Sequence, residues 1–129
     1  MPRTAEDVEN YLLQLDRRFE NDGGTYLVTG VEGSTPIAIR VAPPIVAIRV
    51  TIGPVPKDSD HQTRLFRQLL EYNATDLMHI SYGIADGQVV LSAALELENL
   101  DLNELEAMLS DVDLALVRHV PTLHEAARA

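Results

Sequence analysis

The sequence contains no cysteine and no tryptophan. The first absence excludes a disulfide scaffold, a thiolate metal site and a cysteine nucleophile. No apolar run approaches the roughly 20 residues that a membrane-crossing helix requires, so no membrane partner is expected. Basic residues are missing altogether between Arg67 and Arg118, although that stretch holds ten acids. It alone accounts for the formal net charge of -10, and the flanking segments balance. A surface of this kind repels phosphate backbones, so nucleic acid is not an expected partner. The acidic block serves solubility or guides a basic partner, and the sequence leaves both open.

Enough apolar material remains for one core. With 129 residues, 46 % of them hydrophobic, the chain is too apolar for an acidic disordered tail. It has the size of a single domain spanning residues 1–129. The segment Met1 to Asp7 turns acidic at once and lacks the apolar stretch of a signal peptide. A cytoplasmic protein is the expectation.

Periodicity orders the elements. Thr4 and Asp7 suit a capping box, and Val8, Leu12, Leu15 and Phe19 recur at helical spacing. The stripe predicts one amphipathic helix that ends at Asp22-Gly23-Gly24. Three strand-like runs follow, Thr25 to Val31, Pro36 to Ala42 and Ile45 to Ile52. The tetrapeptide Ala-Ile-Arg-Val occurs at Ala38 to Val41 and again at Ala47 to Val50. A connection centred on Pro43-Pro44 sets Ile39 against Ile48 and Val41 against Val46 on one face. Arg40 and Arg49 then share the other face with Ala38, Ala42 and Ala47. Tandem prolines cannot form the usual positive-φ hairpin turn, so a longer, even-numbered loop is compatible with the same parity.

Ser59 and Gln62 form a second capping box, opening a helix with Leu65, Phe66, Leu69 and Leu70 that Asn73 is expected to stop. Asp86-Gly87 then predicts a tight hairpin between Leu77–Ile84 and Gln88–Leu97. In that register Ile84 faces Val89, Tyr82 faces Leu91, Ile80 faces Ala93 and Met78 faces Leu95. Asp101 and Glu104 open a third helix with Leu105, Leu109, Val112 and Leu116 along a seam, which Pro121 is expected to end. The expected fold is therefore α+β, a two-layer α-β(3)-α-β(2)-α domain with a five-stranded antiparallel sheet.

Few residues suggest chemistry. His119 and His124 are five apart with Pro121 between them, which does not place a metal pair on one helical face. His79 shares a strand face with Ser81, but no orienting group or oxyanion site accompanies them. Glu104 with Asp111, and Glu106 with Asp113, look like a solvated flank. No phosphate loop occurs. Arg40 and Arg49 stand out, because two like charges on neighbouring strands call for a counter-ion. An acid of the same chain such as Glu32, a second subunit or a ligand carboxylate would each serve.

The segment Leu69-Leu70-Glu71-Tyr72-Asn73 is followed by Ile80 to Gly87 and by Val89-Val90-Leu91-Ser92-Ala93-Ala94-Leu95-Glu96-Leu97. Together with the element order, this pattern resembles the type III secretion chaperone fold and the related YbjN family. The resemblance implies a non-enzymatic bacterial protein, usually a homodimer, that binds a protein or peptide client. It carries no catalytic residue and no cofactor, and it names no specific effector.

A physical argument leads the same way. A sheet with one very apolar face leaves edge strands that must be covered or paired, by a second copy or by an extended peptide. Val8 and Leu12 on the first helix, and Arg40 and Arg49 on the strands, are the candidate protein-binding residues. The alternative is a small-ligand protein or small enzyme that uses the Arg40/Arg49 strand face with His79.

Overall fold

The computed structural model describes residues 3–30 and 35–128. Helix α1 spans Ala5–Gln14. Its capping box is formed as expected: the Thr4 hydroxyl accepts from the Asp7 amide, and the Asp7 carboxylate accepts from the Thr4 amide at 2.8 Å. The helix stops well short of Gly23. Leu15 caps it, and Asp16 takes a left-handed φ of 57° that turns the chain away. Phe19–Asp22 is instead a strand, β1, paired with β2, Thr25–Val28. Gly23 and Gly24, with φ of 60° and 95°, form the tight turn between them. Phe19 sits at a spacing that continues the helical stripe, yet its ring packs edge-on against Tyr26 within the sheet.

The sheet therefore has six strands rather than five, in the order β1-β2-β3-β4-β6-β5. β3 is Ile37–Ala42 and β4 is Ile45–Pro54. Their register is the expected one, with Ile39 opposite Ile48 and Val41 opposite Val46. Ala42 pairs directly with Ile45, so the loop is only Pro43-Pro44, joined by a cis bond.

Helix α2 spans Ser59–Thr75. Asp58, one residue before the expected cap, accepts from the His61 amide at 3.0 Å. The helix runs past Asn73, so the chain reaches the sheet edge through a short connection. That connection takes up Leu77 to Ile80, which were expected in the strand. β5 is Ser81–Ala85 and β6 is Gln88–Glu96. Tyr82 opposite Leu91 and Ile84 opposite Val89 hold as expected, around an Asp86-Gly87 turn with φ of 52° and 75°. The pairs of Ile80 with Ala93 and of Met78 with Leu95 are not formed, and Met78 is 89 % exposed.

β4 and β6 form the central antiparallel joint, from Ile45 opposite Glu96 to Pro54 opposite Gln88, with one irregularity between Thr51 and Gly53. Helix α3 spans Leu102–Ala127, capped by Asp101. Pro121 lies inside it rather than ending it. A proline removes one bond to the carbonyl four residues earlier, here that of Val117. Val117 and Pro121 are both exposed, so water can take up that carbonyl.

The helices cover one face of the sheet. Val8 and Leu12 of α1, Leu65 and Leu69 of α2, and Leu105, Leu109, Val112 and Leu116 of α3 meet Val28, Ile37, Ile39, Ile48 and Leu91 in one core. The α+β two-layer architecture stands, with the extra edge strand as its correction.

Candidate functional site

Residues that alternate with the core positions point to the other face of the sheet. Arg40, Arg49, Thr51, Ser81 and Ala94 are all exposed there. The register arranges this face in transverse rows. One row reads Glu20, Leu27, Ala38, Arg49, Ser92, Ser81. The next reads Asp22, Thr25, Arg40, Ala47, Ala94. Arg40 and Arg49 thus occupy diagonal positions on neighbouring strands, a separation of about 7–8 Å. Their direct cross-strand neighbours are small, Thr25 and Ala47 beside Arg40 and Ala38 and Ser92 beside Arg49, so no bulky side chain in these pairs stands over the guanidinium groups.

A shallow hollow of about 720 Å³ lies over these rows, bounded by Thr25, Arg40, Arg49, His79, Ser81 and Ser92. Among the described residues, neither arginine forms an ion pair. By register the nearest acid on the same face is Asp22, two strands from Arg40. Glu32, the counter-ion suggested by the sequence, lies outside the described residues. His79 borders the hollow from the connection before β5, and none of the side-chain hydrogen bonds among the described residues orients it.

Val8 and Leu12 are placed differently. Both are 0 % exposed, in the core of their own chain. Their apolar stripe is covered by the sheet and α3, so as positioned here they present no surface to a partner. Of the four candidate protein-binding residues, the structure brings Arg40 and Arg49 together on an open surface and puts the other two inside.

A second cluster was not foreseen. His119 of α3 is only 3 % exposed. Its Nε2 lies 3.0 Å from Asp76 Oδ2, and its Nδ1 lies 2.9 Å from the Tyr82 hydroxyl. The Tyr72 ring stacks on the imidazole at 3.7 Å and 9°. A neutral imidazole with its proton on Nε2 satisfies every group: Tyr82 donates to Nδ1, and Nε2–H donates to Asp76. That hydrogen bond holds the Asp76 carboxyl below its ordinary range, with help from the Thr75 hydroxyl. Burial pushes the Tyr82 phenol well above its ordinary value. The shift is the wrong sign for an activated nucleophile, and the cluster acts as a latch between the end of α2, β5 and α3. The sequence did hold a signal for it. Leu109, Val112, Leu116, His119 and Leu123 follow one seam at spacings of three and four, and the expected break at Pro121 hid the continuation.

Beside the latch lies a smaller hollow of about 230 Å³ between the Asp76 to Ile80 connection and Asp111, Leu114 and Arg118 of α3. Met78 and Leu114 border it, and both are exposed. Asp113, expected on a solvated flank, instead meets Arg17 at 2.7 Å and ties the end of α1 to α3.

The whole chain, residues 1–129, matches the family model CesT_Tir_1. The chain belongs to the type III secretion chaperone family. Solved structures of such chaperones share its architecture. A chain of the heterodimeric ExoU-SpcU complex from the type III secretion system of Pseudomonas aeruginosa is similar at 21 % identity and a TM-score of 0.70, covering 88 % of this chain and 95 % of that one. YbjN from E. coli is similar at 10 % identity and a TM-score of 0.67, over 88 % and 89 % of the two chains. The Yersinia pestis type III secretion chaperone SycH, solved with a fragment of YscM2, is similar at 16 % identity and a TM-score of 0.62, over 93 % and 99 %. At these identities the likeness is one of fold. No curated protein matches the chain in sequence. The resemblance read from the sequence, to both YbjN and the secretion chaperones, is borne out by this family of folds. Among the described residues, no helix of this chaperone-family protein is long and apolar enough to cross a membrane.

Proposed function

We propose that the protein is a non-enzymatic, chaperone-like binding module that holds a protein or peptide client, acting in the cytoplasm as a homodimer of single-domain chains. The observation that carries the reading is the sheet itself. One face is filled by three helices, while the other presents the exposed Arg40 and Arg49 on a floor of alanines. A face so open suits a macromolecule better than a small substrate, which pockets commonly enclose over most of its surface. The structures of similar fold that contain a second protein, ExoU-SpcU and SycH with YscM2, support the same reading. For the homodimer, the support is the exposed apolar pair Met78 and Leu114 beside the α2–β5 connection.

Light scattering after size exclusion tests the dimer: a strictly monomeric species at micromolar concentration refutes it. Affinity capture with and without Arg40→Ala/Arg49→Ala tests the client face, and capture unchanged by the substitutions removes the arginines from it. His79, Ser81 and Ser92 on the rim of the hollow favour a second reading, a small anionic ligand on the same face. That reading fails if His79→Ala and Arg40→Ala leave every detected ligand interaction intact.

A further inference from the structure

Resting on the reading of this face as the client surface, we infer that the segment it holds is acidic: an extended stretch carrying two carboxylates separated by one residue. The register supplies the measure. Arg40 and Arg49 stand on a diagonal of about 7–8 Å between neighbouring strands. Side chains two residues apart on one face of an extended peptide are about 6.6–6.8 Å apart. A carboxylate-x-carboxylate stretch laid across the rows therefore presents one acid to each guanidinium, whose planar fork accepts a carboxylate in two parallel hydrogen bonds.

The surroundings agree with this occupant. Ala38, Ala47 and Ala94 keep the floor low enough for a backbone to come close. Thr25, Ser81 and Ser92 supply hydroxyls at the margins for its polar groups. Arg40 and Arg49 are a local pair of positive charges in a chain of net charge -10, with Asp22 and Glu20 two and three strands away along their rows, so an acidic segment gains charge complementarity where the two arginines stand. A small free anion would remain largely wet, because the hollow of about 720 Å³ opens along the sheet surface.

Short fluorescein-labelled peptides of alternating threonine and valine with a central Glu-x-Glu test the inference by anisotropy. The controls are the same peptide with Gln-x-Gln, and one with adjacent glutamates, which point to opposite faces. Wild-type protein is compared with Arg40→Gln/Arg49→Gln, whose fold is checked by circular dichroism. The Glu-x-Glu peptide is expected to bind about tenfold more tightly than either control, the combined effect of two partly exposed ion pairs. That advantage disappears in the double variant and shrinks with added salt.

Equal affinity for the Gln-x-Gln peptide overturns the acidic inference while leaving the binding module intact. Absence of binding by every peptide also overturns it, and the capture experiment then decides separately whether the module reading survives. Displacement of the peptide by inorganic phosphate at the peptide's own concentration assigns the arginines to a small anion instead. A change from dimer to monomer in the double variant assigns them to a second copy. Either result refutes an acidic client there.

Discussion

Asn73 offers the most direct test of how the sheet edge is kept in order. Its side-chain Oδ1 accepts from the Tyr82 amide at 2.7 Å, and its Nδ2 donates to the Tyr82 carbonyl at 3.1 Å. Those two backbone groups point away from β6, toward the free edge of β5. The amide of Asn73 thus imitates one residue of a neighbouring strand. Asn73→Ala removes both bonds at a partly buried position. Each is worth about 0.5–1.5 kcal/mol net, hence roughly 1–3 kcal/mol together. Alanine regains up to about 0.7 kcal/mol of helix propensity. The expected net loss is about 1–2 kcal/mol in urea unfolding, with an unchanged dependence on denaturant. Asn73→Asp keeps the acceptor but sets a carboxylate against the Tyr82 carbonyl, and is expected to lose at least as much at neutral pH. Hydrogen exchange at the Tyr82 amide is the local readout, and should quicken in both variants. If Asn73 were merely a helix stop, Asn73→Gly would be nearly neutral. A loss below about 0.5 kcal/mol for Asn73→Ala, with unchanged exchange at Tyr82, would refute the bridging role.

Other expectations follow from the core, the latch and the titrating groups. Leu12→Ala is expected to cost about 2–5 kcal/mol in chemical denaturation, whereas Arg40→Ala stays within about 0.5 kcal/mol; similar costs would contradict their burial. His119→Phe keeps the stacking on Tyr72 but strands the buried Tyr82 hydroxyl, and should lose about 1–3 kcal/mol in the same assay. Because the folded carboxyl of Asp76 is depressed, its contribution is complete above the ordinary carboxylate range and is lost as pH falls through the folded value. The acid limb of a stability–pH profile should therefore flatten in Asp76→Asn, and an identical limb argues against the His119 contact. In a spectrophotometric titration, Tyr26 and Tyr82 should ionise above the ordinary phenol range, Tyr82 the higher, since burial raises both. Tyr82→Phe should remove the last-titrating phenol.

The two registers that set the site are legible in the sequence. Alternation around Pro43-Pro44 and around Asp86-Gly87 leaves only one parity that buries the isoleucines and valines, and that parity puts Arg40 and Arg49 on the open face. Other features escaped for local reasons. Phe19 falls at a spacing that fits both a helix and a strand, and only Asp16, with its unusual φ, separates the two. Asn73 carries turn chemistry in its side chain, but directs it to the backbone of Tyr82 in the next strand rather than to its own helix end. Pro121 is a strong breaker in general, yet costs less where the freed carbonyl faces water. Val8 and Leu12 show the limit of a stripe: periodicity says that a face is covered, and does not say whether by the same chain or by another.

The joint between β4 and β6 has a kinetic consequence. Every other strand pair in the sheet joins strands that are consecutive along the chain. The meander β1 to β4 and the hairpin β5–β6 can each assemble from nearby residues. The central joint must instead bring together segments separated by all of α2, so it carries the largest loop-closure cost in the sheet. Folding should thus be limited by one late zippering event, with Ile48 and Ala93 among the residues that meet only then. The arginine pair, with Ala38 and Ala47, belongs to the β3–β4 hairpin and is set out when the meander forms, whereas Ser92 and Ala94 complete the floor only when β6 joins β4.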